Sequence, residues 1–143
     1  MKAKRPEDVD YELARAFNRG DLEGCCALYE DGASVVRLSQ EGGTIAKGSD
    51  GIREVMAGYV GLNPRMDIKV HHVTEAGEIA LLRSQWLING TGKDGKPIVL
   101  AHNGIEVVRR QADGSWKFLI DHPFGADTVW QIDWTDLMKI GGV

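Results

Sequence analysis

From residue 65 to 123 the chain abandons helical spacing for a period of two, and short turn signals cut this stretch into four candidate strands, 66–74, 78–89, 97–110 and 115–123. The turns are Glu75-Ala76-Gly77, the polar run 90–95 and Ala112-Asp113-Gly114. Connections this short cannot cross over a sheet, so successive strands must pair antiparallel as a meander. Residues 79–82 and 116–120 are apolar on both faces of their strands, which predicts a sheet covered on both sides. The first half of the chain supplies one cover. A second copy of the chain, packed on the convex sheet face as a homodimer, is the expected other cover.

The first half reads as helices and one hairpin. Pro6, Glu7 and Asp8 form a helix start, after which Val9, Leu13, Ala16 and Phe17 recur at helical spacing to about residue 18. Arg19-Gly20 closes this helix, and Asp21 caps a second one over 22–29. Asp31-Gly32 reads as a turn into a strand over 33–38, and Glu41-Gly42-Gly43-Thr44 as the hairpin to a strand around Ile45 and Ala46. Ser49 or Asp50 can cap a third helix over 52–60, with Ile52, Val55, Met56 and Tyr59 on one face; Gly61 and Pro64 end it. The predicted fold class is therefore α+β, a cone-shaped curved sheet, mixed or antiparallel, wrapped around three N-terminal helices. It forms one domain over 1–143 with its core at about 7–124. Trp130, Ile132, Trp134, Leu137 and Met138 make the 125–143 extension too apolar for a free tail, and it is expected to pack on the domain.

A chain of 143 residues can bury about two-thirds of its unfolded surface, enough for a core without disulfide or metal. The formal net charge of −4 argues against a nucleic-acid partner. Cys25 and Cys26 are adjacent and cannot staple distant segments, so buried thiols on one helix are expected. No stretch approaches 18 apolar residues and the N-terminus has no apolar signal run, so a cytoplasmic protein without membrane association is expected.

The residues also carry a resemblance. The segment Phe17-Asn18-Arg19-Gly20-Asp21-Leu22-Glu23-Gly24 with Ala27-Leu28-Tyr29-Glu30-Asp31-Gly32-Ala33, the start Gly48-Ser49-Asp50-Gly51-Ile52-Arg53-Glu54, and the turn Arg110-Gln111-Ala112-Asp113-Gly114-Ser115-Trp116-Lys117 resemble three motifs of the nuclear transport factor 2-like superfamily in its SnoaL-like form. This resemblance covers about residues 7–124 and implies a cystatin-like roll around a closed-bottomed pocket. Ketosteroid isomerases, epoxide hydrolases, polyketide cyclases and kinase association domains share that scaffold, so it does not by itself set a function. The isomerase acids, carried over through the motifs, fall on Arg37, Leu13 and Asn103, none of which is an acid, and steroid isomerisation by that route is not expected. The Asp-Arg-Asp arrangement of the epoxide hydrolases would need a carboxylate on the fifth strand, where the resemblance puts Asn103, leaving Asp121 on the sixth.

The family's face assignment implies that Val99, Ala101, Asn103, Ile105 and Val107 point into the pocket with Lys117, Leu119, Asp121 and Pro123. Asp121 and Asn103 are thus the leading candidate catalytic pair, since a carboxyl in an apolar cone has a raised pKa and an amide can orient a carbonyl or hydroxyl. The alternative is that Asp121 accepts a hydrogen bond from Arg37 or Trp86 and holds the cone shut. His102 and His122 have the opposite parity; a one-residue bulge would turn His122 inward as a proton-transfer group. Arg37 at the mouth is a candidate for an anionic or carbonyl group, or else a partner of Asp121 or Glu41. Tyr29, Met56, Tyr59 and Trp86 are candidate ligand-binding walls. His71-His72 lacks a third ligand at usable spacing, and neither metal nor cofactor is expected. Two functions remain open: a cofactor-independent isomerase, cyclase or dehydratase acting on a small apolar oxygenated ligand, or a non-catalytic ligand-binding or dimeric assembly module.

Overall fold

The computed structural model describes residues 2–37 and 44–125. The hairpin expected at 41–44 lies outside these described residues up to Thr44, as does the packed extension expected at 125–143 beyond Gly125. Helix α1 (Asp8–Asn18) is anchored by Asp8, whose carboxylate accepts from the backbone and guanidinium of Arg5. Its buried stripe, Val9, Leu13 and Phe17, follows the predicted spacing. Gly20 takes φ +67°, which lets the Asp21 amide return to the Ala16 carbonyl, and the Asp21 side chain then accepts from the Gly24 amide to open α2 (Leu22–Cys26).

That second helix is shorter than its sequence implied. The Leu28 carbonyl is taken by the Phe118 amide, so the chain is already extended at Tyr29, where β1 (Tyr29–Arg37) begins. Asp31-Gly32 is accordingly no turn between elements; it lies in an irregular stretch of β1, where Tyr29 faces Phe118 but Ser34 faces Ile120. Strand β2 (Thr44–Lys47) runs straight into α3 (Gly48–Val60), with Gly48 at φ +77° making the exit. Ser49 and Asp50 lie inside that helix, and no side chain caps it.

Strands β3 (Arg65–Ala76), β4 (Ile79–Thr91), β5 (Pro97–Arg110) and β6 (Trp116–His122) form the expected meander. The six-stranded sheet has the order β2-β1-β6-β5-β4-β3, antiparallel throughout except for the parallel pair β1 and β6. It is open, with β2 and β3 at its edges. Helix α1 packs on β3 and β6, α3 on β1 and β2, and α2 joins the two helices. The side-chain alternation is clearest on β4, where Ala80, Leu82, Ser84, Trp86 and Ile88 are buried under the helices and Leu81, Arg83, Gln85 and Leu87 are exposed on the other face.

Cys25 is buried and unpaired, and burial pushes its thiol up to about 12, as suits an inert core residue. No helix among the described residues is long and apolar enough to cross a membrane.

Leu82 is fully buried and Gln85, three residues on, faces solvent. Leu82→Ala is expected to cost about 2–5 kcal/mol in urea unfolding and Gln85→Ala less than about 0.5 kcal/mol. Equal losses would contradict the register.

Candidate functional site

Helices and sheet border a cavity of about 30 Å³ whose walls are mostly apolar: Leu13 and Phe17 from α1, Met56 and Tyr59 from α3, Trp86 and Ile88 from β4. Four polar groups break that lining, Asp10 from α1, Tyr29 from β1, Glu106 from β5 and Asp121 from β6. The three acids are 1%, 3% and 6% exposed. Acids so deeply buried without a cation beside them are rare, because each pays for lost hydration unless it is neutral or hydrogen-bonded.

The hydrogen bonds show how the cluster is held. Tyr29 Oη donates to Asp121 Oδ2 at 2.6 Å, and Ser84 Oγ donates to Glu106 Oε1 at the same distance. The carboxyls of Asp10 and Glu106 lie close enough to share a hydrogen bond once one of them carries a proton. No donor among the described residues reaches Asp10 Oδ2 or Glu106 Oε2, so the proton between these carboxyls must be one that a carboxyl carries itself. Desolvation, reinforced by the Asp10 charge and by this bond, pushes Glu106 up to about 10, which identifies it as the proton's owner. Asp10 is raised to about 7 by desolvation, against the lowering effect of the bond from Glu106. Asp121 is also raised to about 7, by desolvation and then by Glu106, with the Tyr29 bond opposing. Burial and the neighbouring Asp121 push both tyrosine hydroxyls, Tyr29 and Tyr59, upward, so they remain proton donors.

Gly104 makes room for this cluster. A Cβ there would lie 2.7 Å from Ser84 Oγ and 3.0 Å from Glu106 Oε2, so any side chain would displace the hydroxyl that orients the acid.

Asp121, Tyr29, Met56, Tyr59 and Trp86 all line the cavity, as the sequence predicts. Asn103, expected beside Asp121, is exposed on the opposite face: the inward set on β5 is Gly104, Glu106 and Val108, paired with the buried Ser84, Leu82 and Ala80. Val99, Ala101, Ile105 and Val107 are therefore not in the lining either. On β6 the inward residues begin as Trp116 and Phe118, not Lys117 and Leu119. The register then shifts, Phe118 facing Val108 and Ile120 facing Val107, so that Leu119 is extra and Asp121 turns inward. The same step leaves His122 exposed. Arg37 is no part of the cavity and bonds Glu54 at 3.0 Å, so Asp121 answers to Tyr29 and not to Arg37; Trp86 Nε1 donates instead to the Pro123 carbonyl at 2.6 Å. The reading that the fifth strand brings no carboxyl is overturned by Glu106.

Asp10 and Glu106 are not among the candidates the sequence analysis singles out. Their signals were nonetheless present: Asp10 lies on the apolar stripe with Leu13 and Phe17, and Glu106 shares parity with Gly104 and Val108.

The raised acids fix the sign of a pH effect. Unfolded carboxyls titrate near pH 4, so between there and their folded values the folded state binds more protons. The contribution of the cavity acids is full below about pH 4, falls as pH rises to about 7 through Asp10 and Asp121, and keeps falling toward about 10 through Glu106. The surface acids held low, Asp8 by Arg5, Asp21 by the Gly24 amide and then Arg19, and Glu30 by Arg109, act at lower pH and leave this window undisturbed. Glu106→Gln keeps both hydrogen bonds but cannot ionise. In calorimetry it should melt near wild type at pH 5 and above it at pH 9, and a parallel shift at both would contradict the assignment.

The sequence of residues 11–118 matches the model of the SnoaL-like domain family. Solved structures show the same fold. A ketosteroid isomerase-like protein from Erwinia carotovora atroseptica shares 23% identity over 81% of this chain and 89% of its own, with a TM-score of 0.70. A provisionally named dehydratase of the NTF2-like family from Streptomyces avermitilis shares 19% over 81% and 90%, at 0.68. A provisionally named calcium/calmodulin-dependent protein kinase type II association domain from Thiobacillus denitrificans shares 18% over 85% and 95%, also at 0.68. Among curated proteins, none matches the chain by sequence. With an α+β architecture of three helices on an open six-stranded sheet, and a family match spanning most of its length, the chain belongs to the SnoaL-like domain family.

Proposed function

We propose that this chain is a cofactor-independent enzyme of the cytoplasm that transfers a proton on a small, apolar, oxygenated compound, as an isomerase, cyclase or dehydratase. The observation that carries the reading is the Tyr29–Asp121 pair in the wall of an apolar cavity. A carboxyl with a pKa of about 7 is well matched to act as base and then acid near neutrality. The Tyr29 hydroxyl donates to the ionised carboxylate and eases its charge; when Asp121 takes a proton, that bond weakens and the hydroxyl becomes available to an oxygen of the ligand. Glu106 and Asp10 hold a further proton in the same cavity. The apolar walls exclude water, which strengthens each of these interactions. Names of isomerase-like and dehydratase relatives agree with this chemistry.

A second reading, an assembly module, is favoured by one observation. Leu81, Leu87, Val99 and Ile120 are exposed. Leu81, Val107 and Ile120 lie side by side across β4, β5 and β6 on the face away from the helices. A second copy seated there would cover them, as a homodimer, and the kinase association-domain relative is of this kind by name. Assembly and catalysis are compatible. Native mass spectrometry should give a dimer, and Leu81→Asp with Ile120→Asp should give a monomer; a wild-type monomer at micromolar concentration would remove this reading.

Catalysis is tested by solvent deuterium uptake into a panel of apolar ketones with acidic α-hydrogens, followed by NMR at pH 7. At least one ketone should exchange under wild type, and Asp121→Asn should slow that exchange about 10²–10⁴-fold. Exchange by the variant at the wild-type rate would dismiss Asp121 as the base.

A further inference from the structure

The charge inventory of the cavity is one-sided. Three carboxyls line it, and among the described lining residues there is no lysine, arginine or histidine. The nearest candidate cation from sequence, Arg37, is committed to Glu54 outside the cavity. Acceptors also outnumber donors. Tyr29 is spent on Asp121 and Ser84 on Glu106, which leaves the Tyr59 hydroxyl as the uncommitted donor of the described lining, while Asp10 Oδ2 and Glu106 Oε2 have no donor but the proton shared between their own carboxyls. Both residues are more than nine-tenths buried. The remaining walls offer the aromatic rings of Phe17, Tyr59 and Trp86.

A ligand answering this inventory must bring donors and positive charge. A carboxylate or phosphate brings neither and would add like charge to a desolvated acidic site. A ketone or ether brings only acceptors, which Tyr59 can serve but which leave the carboxyls unanswered. An alkylammonium group brings three donors and a charge that ring faces also attract. We propose that the compound bound in this cavity carries a protonated amine, seated at the carboxyls of Asp10 and Glu106 and leaving Asp121 to Tyr29, with its apolar body against Phe17, Tyr59 and Trp86. This rests on the cavity being the ligand site, as proposed above, and adds the charge class of the ligand; the oxygen function that reacts and the nitrogen that binds are separate groups of one molecule.

Entry needs room, since about 30 Å³ holds little more than a water. Met56 and Met66 in the lining are unbranched and can repack around a ring-sized body. A consequence follows for protons. The ammonium favours ionised Asp10, so its binding near pH 7 must release protons to the buffer, whereas a neutral isostere releases none.

Benzylamine, benzyl alcohol and benzoate share a shape and differ in charge. They are titrated into the wild-type protein at pH 7 by calorimetry, in two buffers of different ionisation enthalpy. Benzylamine should bind at least tenfold tighter than benzyl alcohol and release protons, with benzoate weakest. Asp10→Asn combined with Glu106→Gln should abolish the preference for the amine while keeping benzyl alcohol binding. If that variant does not fold, Asp10→Asn alone should lower the preference at least threefold. Benzyl alcohol or benzoate binding as tightly as benzylamine overturns the proposal while leaving the cavity as the ligand site. Binding of none of the three overturns both. A retained amine preference in a protein that exchanges no ketone hydrogen leaves the ammonium site standing and removes the enzyme.

Discussion

Between Phe118 and Ile120 strand β6 takes two steps while its neighbour β5 takes one, and the side chains of everything beyond Leu119 change face as a result. Without that shift Asp121 would point to the outer face and His122 into the core. With it, Asp121 meets Tyr29 at the point where β1 runs parallel to β6, and the carboxyl comes to line the same cavity as Asp10 and Glu106. The irregular stretch of β1 between Tyr29 and Ser34 sits opposite the same step, so two neighbouring strands are distorted together. Irregularities of this kind cost ladder hydrogen bonds, and they persist where they aim a side chain.

What they aim is a set of acids that the fold tolerates by protonation. A fully ionised triad at this depth would be prohibitively costly, and no cation is supplied among the described lining residues to offset it. The structure distributes the burden: Glu106 stays neutral, oriented by Ser84 and accommodated by Gly104, while Asp10 and Asp121 titrate near neutrality. The same placement that weakens the fold at alkaline pH gives the cavity groups able to exchange protons at physiological pH. Stability and chemistry draw here on one set of side chains.

Most of the architecture was legible in the sequence because it rests on local signals. Short turns dictated the meander, and Pro6, Gly20 and Asp21 marked the first two helices within a few residues. The start of α3 was misplaced because Gly48 turns the chain directly out of β2, leaving Ser49 and Asp50 no capping role. The site was legible only in part. Asp121, Tyr29, Met56, Tyr59 and Trp86 were found, Asp121 through a parity count that held for it and Pro123 but not for Lys117 and Leu119, because the bulge at Leu119 exchanges the faces of β6. Asn103 was chosen by motif alignment when the pairing of β5 with β4 puts the neighbouring parity inward. Strand register is a long-range property, and a one-residue error exchanges the two faces. Asp10 and Glu106 were missed for a related reason: an acid on an apolar stripe reads as surface until the elements that bury it are known.

The central claim is that the cavity acids keep protons at neutral pH. Carboxyl-carbon NMR titration of the protein, with Asp10, Asp121 and Glu106 assigned through their Asn and Gln variants, measures this directly. The account predicts midpoints for Asp10 and Asp121 about three units above the ordinary carboxyl value and a Glu106 still protonated at pH 8. Three ordinary midpoints below about pH 5 would contradict it.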